Sequence, residues 1–143
     1  MANKQLILQS NIPVEQKVMG LLMCTAQEKS AEVARLLKPL GLSFTQLSLL
    51  HALDWSSDKT LTVGQLKQTM VDDSPNVSRA LNKLVEKEFI VKRRCDQDQR
   101  TVFISITPEG EAAHAEGDKL LMSSKLPLSQ QDMEQLLNIL SKL

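Results

Sequence analysis

The sequence predicts a mainly α-helical protein with one small β-hairpin, built as a winged helix-turn-helix core flanked by N- and C-terminal dimerisation helices. Two observations predict this class. Apolar residues recur at helical spacing through most of the chain, and they alternate only within the segment "FIVKRRCDQDQRTVFISI" (89–106). Two short helices joined by a four-residue turn precede that segment. A hairpin directly after such a pair makes the motif winged.

The first predicted helix runs from Pro13 to about Leu37. Proline suits the first turn of a helix, and Pro39 and Gly41 stop the helix after Leu37. The apolar positions within it include Val14, Val18, Leu21, Leu22, Ala26, Val33, Leu36 and Leu37. These are too many for one face packed on one small core. We therefore expect burial on two sides, as in a dimer interface.

Capping-box patterns predict the next two helices. The pairs are Ser43 with Gln46 before a helix over 44–55, and Thr62 with Gln65 before a helix over 63–70. The segment between these helices, "SSDK" (56–59), is predicted as a loop.

The fourth predicted helix follows a turn at "VDDS" (71–74). Ser74 is a good N-cap and Pro75 a good first helical residue, so the helix should cover 75–87. Helices three and four with this turn form the helix-turn-helix.

A hairpin and two helices complete the predicted order. Strand-like alternation in "FIVKRR" and "TVFISI" flanks a polar tip at 95–100. Thr107 and Pro108 then begin a helix over about 108–125 by the same cap-and-proline logic. Pro127 ends it, and a last helix covers about 130–142.

The helix over 75–87 has one apolar and one polar face. The predicted core stripe holds Val77, Ala80, Leu81, Leu84 and Val85. The other face holds Pro75, Asn76, Ser78, Arg79, Asn82 and Lys83. Arginine pairs with guanine and asparagine with adenine, while serine and lysine suit phosphates. A helix of this length, roughly 20 Å, fits a major groove. The plainer alternative is a solvated helix face.

Local charge favours the DNA-binding interpretation. The chain has 17 basic and 17 acidic residues and a formal net charge of zero. Residues 75–101 nevertheless hold seven Lys or Arg against four acids, a net of +3. Residues 107–143 hold six acids against three lysines, a net of −3. The positive end of this dipolar chain coincides with the predicted winged region, as phosphate binding requires.

The hairpin carries arginines at both ends of its polar tip. Arg93 and Arg94 lie on or beside the strands, and Arg100 lies across the tip. A narrow minor groove attracts an inserted arginine. Asp98 is expected to pair with the Arg100 guanidinium and orient it. The alternative is an ordinary surface pair of little energetic value.

The segment "VSRALNKLVEKEFIVKRRCDQDQRTVFISITPEG" (77–110) resembles the recognition helix and wing of the MarR family of winged helix-turn-helix regulators. The matching features are Ser78-Arg79, Arg93-Arg94, Asp98-Gln99-Arg100 and Ile106-Thr107-Pro108-Glu109-Gly110. The resemblance extends upstream through "LSFTQLSLLHAL" (42–53). In place of the family's usual glycine before the first wing strand stands Glu88, so the end of the recognition helix is expected to differ in shape.

The resemblance implies a homodimer on a pseudo-palindromic double-stranded operator. Residues 1–42 and 108–143 would be dimerisation helices, and 43–107 the DNA-binding region. It also implies that Ser78, Arg79 and Asn82 contact the major groove and that Arg100 enters the minor groove. Many members are repressors relieved by small aromatic or other ligands. A second reading of the same fold is a protein-interaction module without sequence-specific DNA contacts.

Other chemistry finds little support in the sequence. His51 and His114 are isolated, and no Cys/His set has zinc-ligand spacing, so we predict no metal, no cofactor and no enzyme activity. We expect His51 to be a core or pocket residue with a hydrogen-bonded ring nitrogen, and Trp55 to be core. Cys24 is predicted as a buried hydrophobe and Cys95 as the better redox candidate. Neither a leader nor a membrane-spanning stretch is recognised, so we expect a soluble, cytoplasmic protein without a membrane partner.

Overall fold

The structure is a computed structural model that describes residues 4–70 and 74–143, with the backbone alone of residues 74 and 75. The helices, in chain order, are α1 (Lys4–Gln9), α2 (Val14–Leu37), α3 (Phe44–Trp55), α4 (Val63–Thr69), α5 (Ser74–Glu86), α6 (Pro108–Met122) and α7 (Gln130–Leu140). The strands are β1 (Thr60–Thr62), β2 (Ile90–Arg94) and β3 (Val102–Ile106), and a 3-10 turn (Lys38–Leu40) follows α2.

Each of the six predicted helices is present, and α1 is an addition that the sequence did not predict. The capping boxes of α3 and α4 form as expected, since in each the side chains and backbone amides of the two residues exchange hydrogen bonds. The predicted turn at 71–74 lies outside the described residues, apart from the start of α5 at Ser74.

The hairpin belongs to a three-stranded antiparallel sheet with strand order β1-β3-β2. The prediction of two strands was incomplete because β1 has only three residues, too few to show an alternating pattern. Its partner is β3, with Leu61 opposite Ile104. The hydroxyls of Thr60 and Ser105 lie 2.7 Å apart and join the two strands.

The hydrophobic core lies mainly within the winged region, and Leu37 at the end of α2 packs into it. It combines leucines of α3 and α4, the inner face of α5 and the inward residues of β2 and β3. Its fully buried large side chains are Leu37, Leu49, Leu50, Leu53, Leu66, Leu81, Leu84, Ile90, Ile104 and Val77. Burying one such side chain stabilises a fold by about 1.5–3 kcal/mol. This core fixes which face of α5 points outward.

The predicted core stripe of α5 is confirmed at four of its five positions. Val77 and Leu84 are fully buried, and Ala80 and Leu81 nearly so. The fifth prediction was wrong, because Val85 is 37% exposed. Val85 lies near the end of the helix, where it lines a surface groove with residues of β2.

Helix α5 ends in a Schellman motif. The amide of Phe89 donates to the carbonyl of Leu84 (3.0 Å), and the amide of Glu88 donates to that of Val85 (2.9 Å). Glu88 takes φ of +60°, the left-handed conformation that usually calls for glycine. The expectation of a differently shaped helix end was therefore wrong. Glu88 adopts the left-handed conformation that glycine usually takes at this position, and its backbone is strained as a result.

The start of α6 packs closely against the junction of α5 and β2. The Thr107 hydroxyl donates to the carbonyl of Glu88 (2.7 Å) and accepts from the amide of Gly110 (3.1 Å). A Cβ on Gly110 would lie 2.1 Å from the carbonyl oxygen of Phe89. Only glycine allows this approach, so the wing, α5 and α6 are held together at one point.

Outside the winged region, the helices leave much apolar surface uncovered. Along α2, Leu37 alone is buried, and Val14, Met19 and Met23 are 76%, 57% and 67% exposed. Helix α7 has no buried residue, and its Leu137 is 70% exposed. None of the helices in the described part of the chain has the length and apolar character to cross a bilayer.

Candidate nucleic-acid interface

The outward face of α5 is polar and open, as the sequence predicts. The side chains of Asn76, Ser78, Arg79, Asn82 and Lys83 are all exposed. Pro75 lies in the first turn, and its side chain is outside the described atoms. This face borders a groove whose other wall includes Ser43, Phe44 and Thr45 at the start of α3.

The wing is tied directly to this face. The ammonium of Lys92 on β2 donates a hydrogen bond of 2.7 Å to the side-chain oxygen of Asn82 on α5. In the sequence, Lys92 is one of seven basic residues within 75–101, and no motif distinguishes it from the others. Apolar periodicity shows which face of α5 or of β2 is buried, but it does not show which residues of the two elements meet. The contact between Lys92 and Asn82 therefore could not be predicted from the sequence.

Alternation along β2 sorts its cations between the two faces of the sheet. Lys92 and Arg94 share the face of buried Ile90, while Arg93 points to the other face. There the Arg93 guanidinium lies 5.8 Å from the ring centroid of Phe103, which is opposite it on β3. Arg94 reaches instead towards the wing tip, with its Nη1 atom 3.4 Å from the carbonyl of Gln99.

Asp98 organises the wing tip through the backbone. Its carboxylate accepts from the amide of Arg100 and from the hydroxyl of Thr101, both at 3.0 Å. The expected pairing of Asp98 with the Arg100 guanidinium is therefore wrong, because both carboxylate oxygens are used to close the turn. Arg100 is exposed. Within the described part of the chain, its guanidinium makes no ion pair.

The two cysteines are free and partly buried. Cys24 lies on α2, and its predicted burial is incomplete in the single chain. Cys95 begins the wing tip, where its amide donates to the carbonyl of Thr101 (2.9 Å).

A cavity of about 360 Å³ lies between α3, α4 and α6. Most of its wall is apolar, and its polar groups are concentrated at His51, Ser48, Thr69 and Asp118. The expectation that His51 is a pocket residue with a hydrogen-bonded nitrogen is confirmed. The placement of Trp55 in the core was wrong, since it is 76% exposed and stacks on the His51 ring with 4.6 Å between centroids.

His51 and His114 are not isolated, contrary to the sequence analysis. They are 63 residues apart in the chain, yet His51 Nδ1 and His114 Nε2 lie 2.9 Å apart. His114 Nδ1 lies 2.8 Å from a carboxylate oxygen of Asp54. Only the packing of α3 against α6 brings these groups together, so linear spacing did not reveal them.

Lys59 forms ion pairs beside the polar cluster of His51, His114 and Asp54. Lys59 lies 3.2 Å from Asp54 and 2.6 Å from Glu111. Partial burial opposes the ionisation of Asp54, but hydrogen bonds from His114 and Lys59 outweigh it and lower the pKa of this carboxyl. The hydrogen bond to Glu111, followed by that to Asp54, raises the pKa of Lys59. Asp54 and Lys59 are therefore both charged at neutral pH.

An outward polar helix, a basic wing tied to it and a buried leucine core together make a winged helix-turn-helix fold. The particular family follows from the sequence comparison. The transcriptional regulator SarA/Rot family matches residues 33–117, more than half of the chain. The chain belongs to this family.

Curated relatives are also regulators. The chain is 28% identical over 100 residues to the organic hydroperoxide resistance transcriptional regulator of Bacillus subtilis (strain 168), covering 70% of this chain and 67% of that protein. It is 28% identical over 92 residues to the HTH-type transcriptional regulator SarZ of Staphylococcus aureus (strain USA300), covering 64% of this chain and 61% of that protein. The match thus spans less than two thirds of SarZ.

Solved structures share the fold. A putative MarR-like transcription regulator from Bacillus cereus ATCC 10987 superposes with a TM-score of 0.78 at 14% identity, covering 90% of this chain and 94% of that one. A mutant MarR from E. coli, complexed with operator DNA, gives 0.75 at 22% identity, with 93% and 98% covered. Bordetella bronchiseptica BpsR, solved to explain regulation of its DNA binding by 6-hydroxynicotinic acid, gives 0.76 at 18% identity, with 93% and 96% covered.

These findings confirm the resemblance to MarR-family regulators and the predicted fold class. They also confirm the prediction that the chain is not an enzyme, because the family and the relatives are transcriptional regulators.

Proposed function

We propose that the chain acts as a homodimer on a pseudo-palindromic operator, with α5 in the major groove and Arg100 in the minor groove. The observation that carries this proposal is the junction of two polar surfaces. The outward face of α5 and the basic face of the wing meet at the hydrogen bond between Lys92 and Asn82. A helix in the major groove would therefore bring the wing to the neighbouring backbone and minor groove.

The residue types along this surface suit distinct roles. Arg79 and Asn82 would read base edges, by bidentate pairing with guanine and adenine respectively. Ser78 and Lys83 would contact phosphates and set the register. Pro75 and Asn76, in the first turn, would lie nearest to the groove.

On the wing, Arg94 would contact the sugar-phosphate backbone and Arg100 would enter the minor groove. Asp98 would act on DNA binding indirectly, by holding the turn that presents Arg100. A preformed turn reduces the conformational entropy lost on binding. The net charge of +3 on residues 75–101 supports phosphate contact by the same surface.

The exposed apolar side chains of α2 and α7 support dimerisation. We propose that residues 1–42 and 108–143 form the dimer interface, while 43–107 form the DNA-binding region. Val14, Met23 and Leu137 are each more than 65% exposed in the single chain, and a partner subunit would remove them from water. Sedimentation equilibrium should therefore give twice the mass of the 16.0 kDa chain.

The cavity beside His51 supports relief by a small ligand. Its volume, about 360 Å³, and its largely apolar wall suit a small aromatic or amphipathic molecule. It lies between α3 and α4 of the winged region and α6 of the proposed dimerisation region. A ligand there would change how the two regions meet, so we propose a repressor that a ligand releases. Such a role places the protein in the cytoplasm.

Selection of bound duplexes from random DNA tests this function. The selected sequences should show two inverted half-sites about 10 base pairs apart, or a multiple of that spacing. Affinity, measured by fluorescence anisotropy, should fall with salt by roughly 0.9 log unit per log unit for each phosphate contacted. A protein-interaction module would instead yield no enriched sequence and no steep salt dependence.

A further inference from the structure

We propose that His51, His114 and Asp118 form a binding site for a divalent transition-metal ion of the zinc type. The site lies outside the DNA-binding surface and joins α3 to α6. It goes beyond the proposed regulation of DNA binding, and metal binding is measured without DNA, so either proposal can fail alone.

Three potential ligand atoms converge at this place. His51 Nδ1 and His114 Nε2 are 2.9 Å apart. A carboxylate oxygen of Asp118 is 3.2 Å from His114 Nε2 and 3.9 Å from His51 Nδ1. Ligand atoms bound tetrahedrally at 2.0–2.1 Å from zinc are separated by about 3.3 Å. The three observed separations bracket that value, so the atoms need only small shifts to bind one ion.

The hydrogen bond from His114 Nδ1 to Asp54 leaves the lone pair of Nε2 directed into the site. A carboxylate only accepts hydrogen bonds, so His114 Nδ1 must donate to Asp54 across 2.8 Å. In the neutral ring, Nε2 then carries a lone pair that accepts a hydrogen bond from His51 Nδ1, 2.9 Å away, and lies 3.2 Å from the carboxylate of Asp118. A metal ion bound here would take the place of the hydrogen on His51 Nδ1, and that ring would carry its hydrogen on Nε2 instead. The two ring nitrogens and the carboxylate would then all bind the ion through lone pairs.

The surroundings have the features of a built metal site. The carboxylate of Asp54 on the far nitrogen of His114 is the usual outer partner of a metal-bound histidine. Lys59 fixes this carboxylate in turn, at 3.2 Å. The side chain of His114 is 5% exposed, whereas that of His51 is 45% exposed, so one ligand is anchored and another can move. The cavity lined by His51 and Asp118 gives an ion access and leaves room for water as a fourth ligand.

The first measurement uses the full chain, stripped of metal with a chelator that is then removed. Isothermal titration with Zn²⁺ should give one ion per chain. Asp118→Asn and His51→Gln should each weaken Zn²⁺ binding at least about tenfold, and Asp54→Asn, which removes only the outer partner, by about 10–100-fold. The matched control is Glu116→Gln, because Glu116 is an exposed acidic residue on α6, the helix that carries Asp118. This variant should bind Zn²⁺ with the affinity of the wild type.

The second measurement uses the lone tryptophan. The chain has one Trp and no Tyr, and Trp55 stacks 4.6 Å from the ring of His51. Paramagnetic Co²⁺ bound to His51 should quench Trp55 emission, and excess Zn²⁺ should restore it by displacing Co²⁺. Zn²⁺ should also raise the melting temperature of the wild type by more than that of Asp118→Asn, because weaker binding adds less free energy to the folded state.

Each contrary outcome is decisive. If the folded wild type binds no Zn²⁺, the proposal is overturned. A proton, and not a metal ion, then lies among the ligand atoms of His51, His114 and Asp118. Equal affinity in Asp118→Asn and Glu116→Gln would overturn it as well. A third contrary outcome is that Cys95→Ser loses Zn²⁺ binding while His51→Gln keeps it. The ion would then be held by a thiolate, and the proposal would be overturned. Circular dichroism of every variant checks that a loss of binding is not a loss of fold.

Discussion

Replacing Glu88 by glycine should stabilise the protein by about 0.5–1 kcal/mol. Glu88 ends α5 with φ of +60°. A residue with a Cβ pays about 1–2 kcal/mol for that left-handed conformation. Glycine removes this cost but adds about 0.5–1 kcal/mol of backbone entropy to the unfolded chain, so the net gain is smaller than the strain.

The surroundings of Glu88 favour a clean result. The side chain of Glu88 is exposed. The backbone carbonyl of residue 88 accepts a hydrogen bond of 2.7 Å from the Thr107 hydroxyl, and a glycine at this position retains that carbonyl. The gain should raise the melting temperature by about 1–4 °C for a chain of this size. Thermal unfolding followed by circular dichroism measures it. The protein concentration must be fixed, because the stability of the proposed dimer would depend on it.

Two control variants separate the backbone effect from other effects. Glu88→Ala removes the same negative charge from the end of α5 without easing φ. Glu116→Gly makes the same substitution in the interior of α6, where it should destabilise by about 1 kcal/mol. If Glu88→Gly is no more stable than Glu88→Ala, the strain assigned to the helix end is refuted.

Three further substitutions test the wing and its junction. Arg100→Ala should weaken operator binding in an anisotropy titration while the melting temperature stays within about 1–2 °C, and a large fall in melting temperature would make Arg100 structural. Asp98→Ala, which removes two hydrogen bonds at the tip, should also weaken operator binding, though less than Arg100→Ala, and unchanged affinity would show that the turn does not position the arginine. Gly110→Ala should destabilise by about 1–3 kcal/mol or more in urea titration, because its Cβ would meet the carbonyl oxygen of Phe89 at 2.1 Å, and a neutral effect would contradict the close packing of α6.

The elements with strong local signals were predictable from the sequence. Capping residues located the starts of α3 and α4, and apolar spacing identified the buried face of α5. From that face the outward side chains Arg79 and Asn82 followed directly, since a helix has only one opposite side. Local patterns therefore gave both the fold class and the candidate DNA-binding surface.

The features that were missed depend on contacts between distant segments. Strand β1 exists because β3 offers it an edge, and three residues carry no pattern of their own. The pairing of His51 with His114 arises from the packing of α3 on α6. Glu88 shows the limit of residue preferences, because the bonds that close α5 impose a backbone conformation that glutamate disfavours.

The most direct test of the central claim compares Arg79→Ala with Lys83→Ala on the selected operator and on single-base variants of it. Both side chains are exposed on α5, but we assign Arg79 to base edges and Lys83 to phosphate. Arg79→Ala should cost about 1–3 kcal/mol and relax preference at one position of each half-site, whereas Lys83→Ala should weaken all sequences equally. Unchanged affinity and unchanged preference in Arg79→Ala would contradict a recognition role for this helix.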